Sequence, residues 1–508
     1  MMEKKILASF LGLSLLAVFA VTCLAHDKDP KRTAATHLKA ELNLKIERLE
    51  SALAKSHSES EFLKEELLFL KEKYEELEKR MQEAEDKTYI KTPFGLKFQF
   101  SGHIKLDAVA SDKNLGLIQS FFPVMAFPAN SLNPINGKEQ ELNTVALGWR
   151  ESRLSFSVTG PKWLGAQTSA FFSLDGYAFG NGAGTFSSAN DNSQAPRFHL
   201  GSVFFTWPNT TFRFGSWFTP YGNYFLDGGL YVNWTRGTYY RNTTQVALSH
   251  NFLGKAFKNK EYTLELTGAL LTSTSGLFAT DGPVNQGELS GLPEINAVLR
   301  FSTNKLGVVP TAIAGFEGAF DSPLAIEIAG VWNEKDFGNQ GDGVTTPKGE
   351  YHTRALEFRY TFPVIPRRDE NGKVRGGHLS IRGSSYFGQD LAAGFESGAT
   401  SLVVENGRID EADAWGTINE LKLFLSNNLW IYQIAGIVEV ENHDGVVSGI
   451  GVNGGLRRTK TFRSGVWYRP DGLKNLLVGV EYLRFVDDFQ DGSDGALNWV
   501  NFQWYFRF

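Results

Sequence analysis

The 508-residue sequence predicts an all-β transmembrane barrel of about sixteen antiparallel strands, preceded by an α-helical coiled coil. Three observations carry that prediction. The last eleven residues alternate strictly, with Phe508, Phe506, Trp504, Phe502 and Val500 on one face and Arg507, Tyr505, Gln503 and Asn501 on the other. Successive side chains of a strand point to opposite faces, and so dense an aromatic face suits a strand with lipid on one side and water on the other. Upstream, the apolar period changes at Pro93–Gly95 from the three-and-four spacing of a coiled coil to the alternation of strands, and it stays there. The connectors between alternating segments are short and long by turns, as in a barrel with tight turns on one side of a membrane and loops on the other. The alternative for the final segment is an edge strand of a soluble sandwich, which would need a partner for its aromatic face.

Composition narrows the classes further. Hydrophobic residues make up 42% and aromatics 13%, with 52 glycines and a formal charge of −5, and the mean hydropathy is negative. Helical membrane spans would need about 18 or more consecutive apolar residues. A barrel tolerates the polar average because the inward half of each strand is polar. The charge is too small to point to nucleic acid. The single cysteine, Cys23, excludes an internal disulfide framework.

Residues 1–25 have the layout of a secretory signal peptide: Lys4 and Lys5, an apolar run from Ile6 to Val21, then Cys23-Leu24-Ala25 and a polar restart at His26. Acylation at Cys23 is the alternative, and Thr22 and Ala20 fit it poorly. Residues 37–87 form the predicted coiled coil. Leu42, Ile46, Leu49, Leu53, Ser56, Ser60, Leu63, Leu67, Leu70, Tyr74, Leu77, Met81 and Ala84 follow one another at alternating steps of four and three. That repeat imposes a left-handed supercoil, and a helix with such a stripe needs partners. Leu at most core positions leaves the number of helices open. The polar layers at Ser56 and Ser60 weaken its middle. Residues 88–95 are a linker, and 96–508 are the barrel.

Alternating segments lie near Leu96–Ala110, Glu151–Thr159, Ala166–Asp175, Arg197–Trp207, Thr211–Phe218, Gln245–Phe252, Glu261–Leu270 and Ile295–Ser302. The second half holds Leu324–Trp332, His352–Phe362, His378–Phe387, Trp415–Leu425, Trp430–Glu441, Arg457–Tyr468, Leu476–Phe485 and Leu497–Phe508. Thr311–Phe320 could pass for one more strand. Both ends of the barrel on the same side require an even number, so Phe301–Pro323 is taken as a long connection. Exposed strand edges in lipid would leave backbone groups unpaired at several kcal/mol each, so the sheet must close. About sixteen strands is wide enough for an aqueous channel.

The face opposite the apolar residues is charged. Lys105, Arg153, Arg213, Arg457 and Arg463 make the strands near the closing seam mainly basic, and Glu265, Glu327, Glu420 and Glu439 occupy the opposite arc. Opposed walls would set a transverse field across the opening. Lys105, Arg153, Arg382 and Arg463 fall nearest mid-height and are the candidate solute-contacting residues, since a guanidinium fork matches a carboxylate. Salt-bridge ladders stiffening the wall are the competing reading. The third outer loop, Pro220–Asn242, is rich in aromatics and carries Asp227, Arg236 and Arg241. It either folds inward as a constriction or packs on the lipid rim or a neighbouring protomer.

Together, the signal segment, the coiled coil and about sixteen strands closing on Phe508 resemble the DcaP-like trimeric outer-membrane porin family. The resemblance extends to His103-Ile-Lys-Leu-Asp107 and Trp149-Arg-Glu-Ser-Arg-Leu-Ser-Phe156, which are similar to the family's early strands. It implies a homotrimer in the outer membrane of a Gram-negative bacterium, the coiled coil in the periplasm, and passive diffusion of small polar solutes, anions such as dicarboxylates in particular. The alternative is an envelope-structural protein that tethers the membrane to peptidoglycan or another partner through its coil. No cofactor, metal or enzyme motif is expected. The histidines are scattered, and no nucleophile or phosphate-loop pattern stands in a supporting context. Deleting residues 39–84 tests the coil. Loss of the oligomer on a native gel is the expected result, and an unchanged oligomer would leave tethering as the helix's role.

Overall fold

The computed structural model describes residues 90–91, 96–112, 144–148, 152–175, 197–222, 242–253, 261–272, 292–309, 322–336, 350–368, 374–389, 402–405, 408–440, 446–448, 456–473, 475–489 and 492–508, with residue 72. The signal segment, the coiled coil (but for residue 72) and most of the linker lie outside the described residues. Sixteen antiparallel strands form one closed sheet. They are β1 (Lys97–Ser111), β2 (Thr144–Gly148 and then Arg153–Trp163), β3 (Ala166–Asp175), β4 (Arg197–Thr206), β5 (Thr210–Phe218), β6 (Asn242–Asn251), β7 (Tyr262–Leu271) and β8 (Glu294–Val309). The second half is β9 (Ser322–Asp336), β10 (Glu350–Ile365), β11 (Leu379–Gln389), β12 (Asp413–Phe424), β13 (Leu429–Val440), β14 (Leu456–Tyr468), β15 (Leu476–Phe489) and β16 (Asp494–Arg507).

Each strand pairs with the next, and β16 pairs with β1, from His103 opposite Arg507 to Ser111 opposite Trp499. At one end of this seam Gly102 and Phe508 exchange backbone hydrogen bonds of 3.2 and 3.1 Å. At the other, Asp112 accepts from the backbone and side-chain nitrogens of Asn498 at 2.8 and 2.5 Å. A Cβ on Gly102 would stand 2.4 Å from the Arg153 carbonyl oxygen and 2.6 Å from the Phe508 ring. Glycine is thus what lets the last aromatic lie against the first strand.

The alternation expected from the sequence is the alternation observed. On β1, Phe100, Ile104 and Leu106 face out and are exposed, while His103, Lys105 and Asp107 face in and are buried. On β8 the inward set is Glu294, Asn296 and Val298, against an outward Ile295 and Leu299. The exposed large apolar residues form the outer surface of the barrel, which in water would be a liability and in hydrocarbon is the favourable arrangement.

The short connectors are built as turns. Leu164 and Gly165 both have positive φ, 49° and 78°, the two-residue geometry that matches strand twist. Trp207 donates through its indole N–H to the Leu164 carbonyl at 3.0 Å, tying this turn to the next one. On the opposite side, segments of the two connectors flanking β12–β13 form a separate three-stranded sheet from Leu402–Glu405, Arg408–Glu411 and Val446–Ser448. Glu411 of this sheet bonds both the backbone N–H and the ring Nδ1 of His352 on β10, at 2.5 and 3.1 Å.

One expectation is corrected. The connection placed at Phe301–Pro323 begins later, because β8 continues to Val309 and β9 starts at Ser322. The register shifts between Thr303 and Val308, and Gly307 there has φ 89°. A bulge breaks the two-residue period, which is why alternation stopped short of the strand's end. The possible strand at Thr311–Phe320 lies outside the described residues.

The seam generates a prediction. Gly102→Val forces the β1–β16 edge apart and destabilises the barrel by about 3 kcal/mol or more. A lower urea midpoint for loss of the compact, heat-shifted gel band checks it, and an unchanged midpoint would contradict it.

Candidate functional site

The inner wall carries charges held by register. Lys105 and Asp107 are two apart on β1 and so share a face, with Nζ to Oδ2 at 3.1 Å and both side chains fully buried. Asp107 also accepts from Asn501 Nδ2 at 3.3 Å. Arg153 on β2 approaches Asp175 on β3 at 3.8 Å. Arg382 on β11 stands opposite Glu420 on β12, and its Nε donates at 2.7 Å. Glu327 on β9 lies between two arginines on neighbouring strands, Arg300 at 3.5 Å and Arg359 at 3.1 Å.

Arg463 differs. It is fully buried, faces Ile434 on β13 and Leu483 on β15, and none of its three guanidinium nitrogens has a hydrogen-bond partner among the described residues. The carboxylate of Glu481, one inward position away on β15, accepts instead from Tyr432 at 2.5 Å. The Arg463 guanidinium lies 5.8 Å from the Phe485 ring centre. The structure therefore places all four candidate residues on the inner wall and buries them, and gives three of them a carboxylate partner.

The basic seam and acidic arc are less separate than the strand-by-strand list implies. Arg300 and Arg359 flank Glu327, Arg382 covers Glu420, and Asp107 and Asp175 sit beside Lys105 and Arg153. A list of inward residues does not contain the cross-strand register that brings opposite charges together.

The start of the third outer loop is folded inward. Tyr221 is fully buried against Val298, Ala329 and Val331 on the inner faces of β8 and β9. Its backbone N–H donates to Asn296 Oδ1 at 3.0 Å, and that of Gly222 donates to Glu357 Oε2 at 2.8 Å. Arg359 Nη2 donates to the Pro220 carbonyl at 3.0 Å. Glu357 is itself fixed by Ser384 Oγ at 2.5 Å and by Arg359 at 3.6 Å. Two strands of the wall, β8 and β10, thus hold three loop residues by the backbone, the means by which a segment without regular structure satisfies its buried polar groups. Asp227, Arg236 and Arg241 lie outside the described residues. Asn296 was not foreseen as an anchor. An inward asparagine in alternation with Glu294 and Val298 is the one sequence signal that marks it. Among the described residues, no group of three or more His, Cys, Asp or Glu is placed to hold a metal ion.

No protein-family model matches the sequence, and no curated protein matches it. Solved structures do. The outer-membrane channel DcaP of Acinetobacter baumannii superimposes with a TM-score of 0.57 at 12% identity, over 82% of this chain and 99% of that one. The anion-selective porin of Comamonas acidovorans gives 0.45 at 9%, over 81% and 100%. The loop L8 deletion mutant of OmpT, an outer membrane protein of Vibrio cholerae, gives 0.44 at 11%, over 81% and 99%. The shared fold rests on the Acinetobacter channel: this chain has a porin-like β-barrel fold.

Glu357→Ala removes the acceptor for Gly222 and the partner of Ser384 and Arg359. Breaking a buried pair in this way costs about 3–5 kcal/mol. Faster proteolytic cleavage within residues 219–241 of the membrane-embedded protein is the expected result, and cleavage at the wild-type rate would contradict the anchoring role.

Proposed function

We propose that this protein is a porin: a passive, water-filled diffusion channel of the outer membrane for small polar solutes, with no catalytic activity. The observation that carries the proposal is the two-faced closed sheet, apolar outside and charged inside over sixteen strands. A sheet of that number leaves room for an aqueous lumen. The loop segment docked on β8–β10 narrows that lumen, as an inward constriction would.

Within this reading, small anions such as dicarboxylates are favoured, and Arg463, buried in the wall, acts on them through its field. Lys105, Arg153 and Arg382 share their positive charge with carboxylates, so they support the wall's potential more weakly. Arg463 has no bonded carboxylate to offset it. The anion-selective porin that this fold matches loosely is consistent with such a preference but adds no weight to it.

The protein works as a homotrimer in the outer membrane after removal of a signal peptide. Its periplasmic coiled coil drives or reinforces oligomerisation. The unbroken heptads from Leu42 to Ala84 favour a second, compatible role, in which the coil tethers the membrane to peptidoglycan or a protein of the envelope.

The reversal potential of reconstituted channels under a salt gradient tests the ion preference. Anion preference in the wild type, moved toward zero by Arg463→Gln and less by Arg153→Gln, is expected. A reversal potential unmoved by Arg463→Gln would discard the residue's assignment, and cation preference in the wild type would discard the anionic solute.

A further inference from the structure

The inner wall of β3–β5 carries aromatic rings where a porin interior is ordinarily polar. Phe171 on β3, Phe204 on β4 and Trp217 on β5 face inward, since they alternate with the outward Phe172, Val203 and Phe214. Trp217 meets Phe171 edge to face at 5.6 Å and Phe204 at 5.2 Å. Leu200 and Phe218 are buried in the same cluster, whereas the three rings are themselves partly exposed. The apolar area is therefore presented to the lumen as well as packed against the wall.

The polar edge of this patch is built. Arg213, also inward on β5, lies 5.7 Å from the Trp217 ring centre and donates from Nη2 to Gln245 Oε1 at 2.8 Å. Gln245 is buried, and its amide nitrogen donates to the carbonyls of Trp217 and Phe218 at 2.8 and 2.9 Å. The glutamine is thus wholly used in fixing Arg213 beside the indole. Among the described residues, Arg213 Nε, which is buried, and the Trp217 indole N–H make no hydrogen bond. The site offers ring surface with the indole N–H and the Arg213 guanidinium at its edge.

We infer that this patch is a solute-binding subsite for molecules with a flat or ring-shaped apolar face and oxygen acceptors at its edge, such as aryl glycosides. The inference rests on the porin reading and is independent of anion preference. The rings take the apolar face by edge and stacking contacts, and Arg213 and the indole N–H donate to the oxygens.

An uncharged probe separates this subsite from electrostatic selection. Phenyl β-glucoside, added to single channels of the full-length protein, is expected to block the ion current at concentrations where glucose and sorbitol do not. Trp217→Leu is expected to raise the half-blocking concentration about three- to tenfold, the range of aromatic pair contacts, while unblocked conductance is kept. Phe204→Leu, which preserves volume more closely, is expected to shift it in the same direction should Trp217→Leu fail to fold. Equal block by phenyl β-glucoside and glucose, or variants with the wild-type half-blocking concentration, would overturn the subsite and leave the porin intact. Wild-type protein that forms no channel would overturn the porin reading and this inference together.

Discussion

Hydrocarbon offers a backbone N–H or C=O nothing to bond, and most of this structure follows from that constraint. Any strand edge left open in lipid would carry a row of unpaired groups at several kcal/mol each. The sheet therefore closes, with β16 returning to β1 through the full run from Arg507 to Trp499. Closure in turn demands two chemically different faces, because each residue moved along a strand changes sides. Gly102 and Phe508 close one end of this seam. The glycine leaves room for the ring, and the two residues exchange backbone bonds where the seam would otherwise fray.

The second constraint is electrostatic. Charges on the inner face are taken out of bulk water by packing, so each needs a partner or a solvent-filled space. Cross-strand register supplies partners for Arg153, Arg382, Arg300 and Arg359, and the two-residue period supplies Asp107 for Lys105 on the same strand. The wall's charges also hold the loop: Glu357 Oε2 lies 3.6 Å from Arg359 and accepts from the Gly222 N–H. Arg463 stands apart because its two neighbours in register, Ile434 and Leu483, are apolar. A buried guanidinium with no bonded carboxylate adds its charge to the field of the wall around it.

Much of the fold was legible because a strand between lipid and water writes its environment at every second residue. The order of the strands, the inward set on β1 and the pairing of the final strand with the first all follow from that alternation and from the connectors. Legibility failed where the period failed, at the bulge between Thr303 and Val308, and at the short segment Thr144–Gly148 that precedes Arg153. The site was less legible than the fold. Which inward charges exist can be read strand by strand, whereas which ones meet depends on register. Asn296 as a loop anchor and the ring cluster of Phe171, Phe204 and Trp217 depend on three strands at once, so no single segment announces them.

The central claim is that the closed sheet encloses a conducting, water-filled lumen. Planar-bilayer recording of the purified, folded oligomer tests it most directly. Discrete conductance steps, of uniform size and linear in voltage near zero, are predicted. Folded protein that inserts into the bilayer and gives no steps would contradict the account.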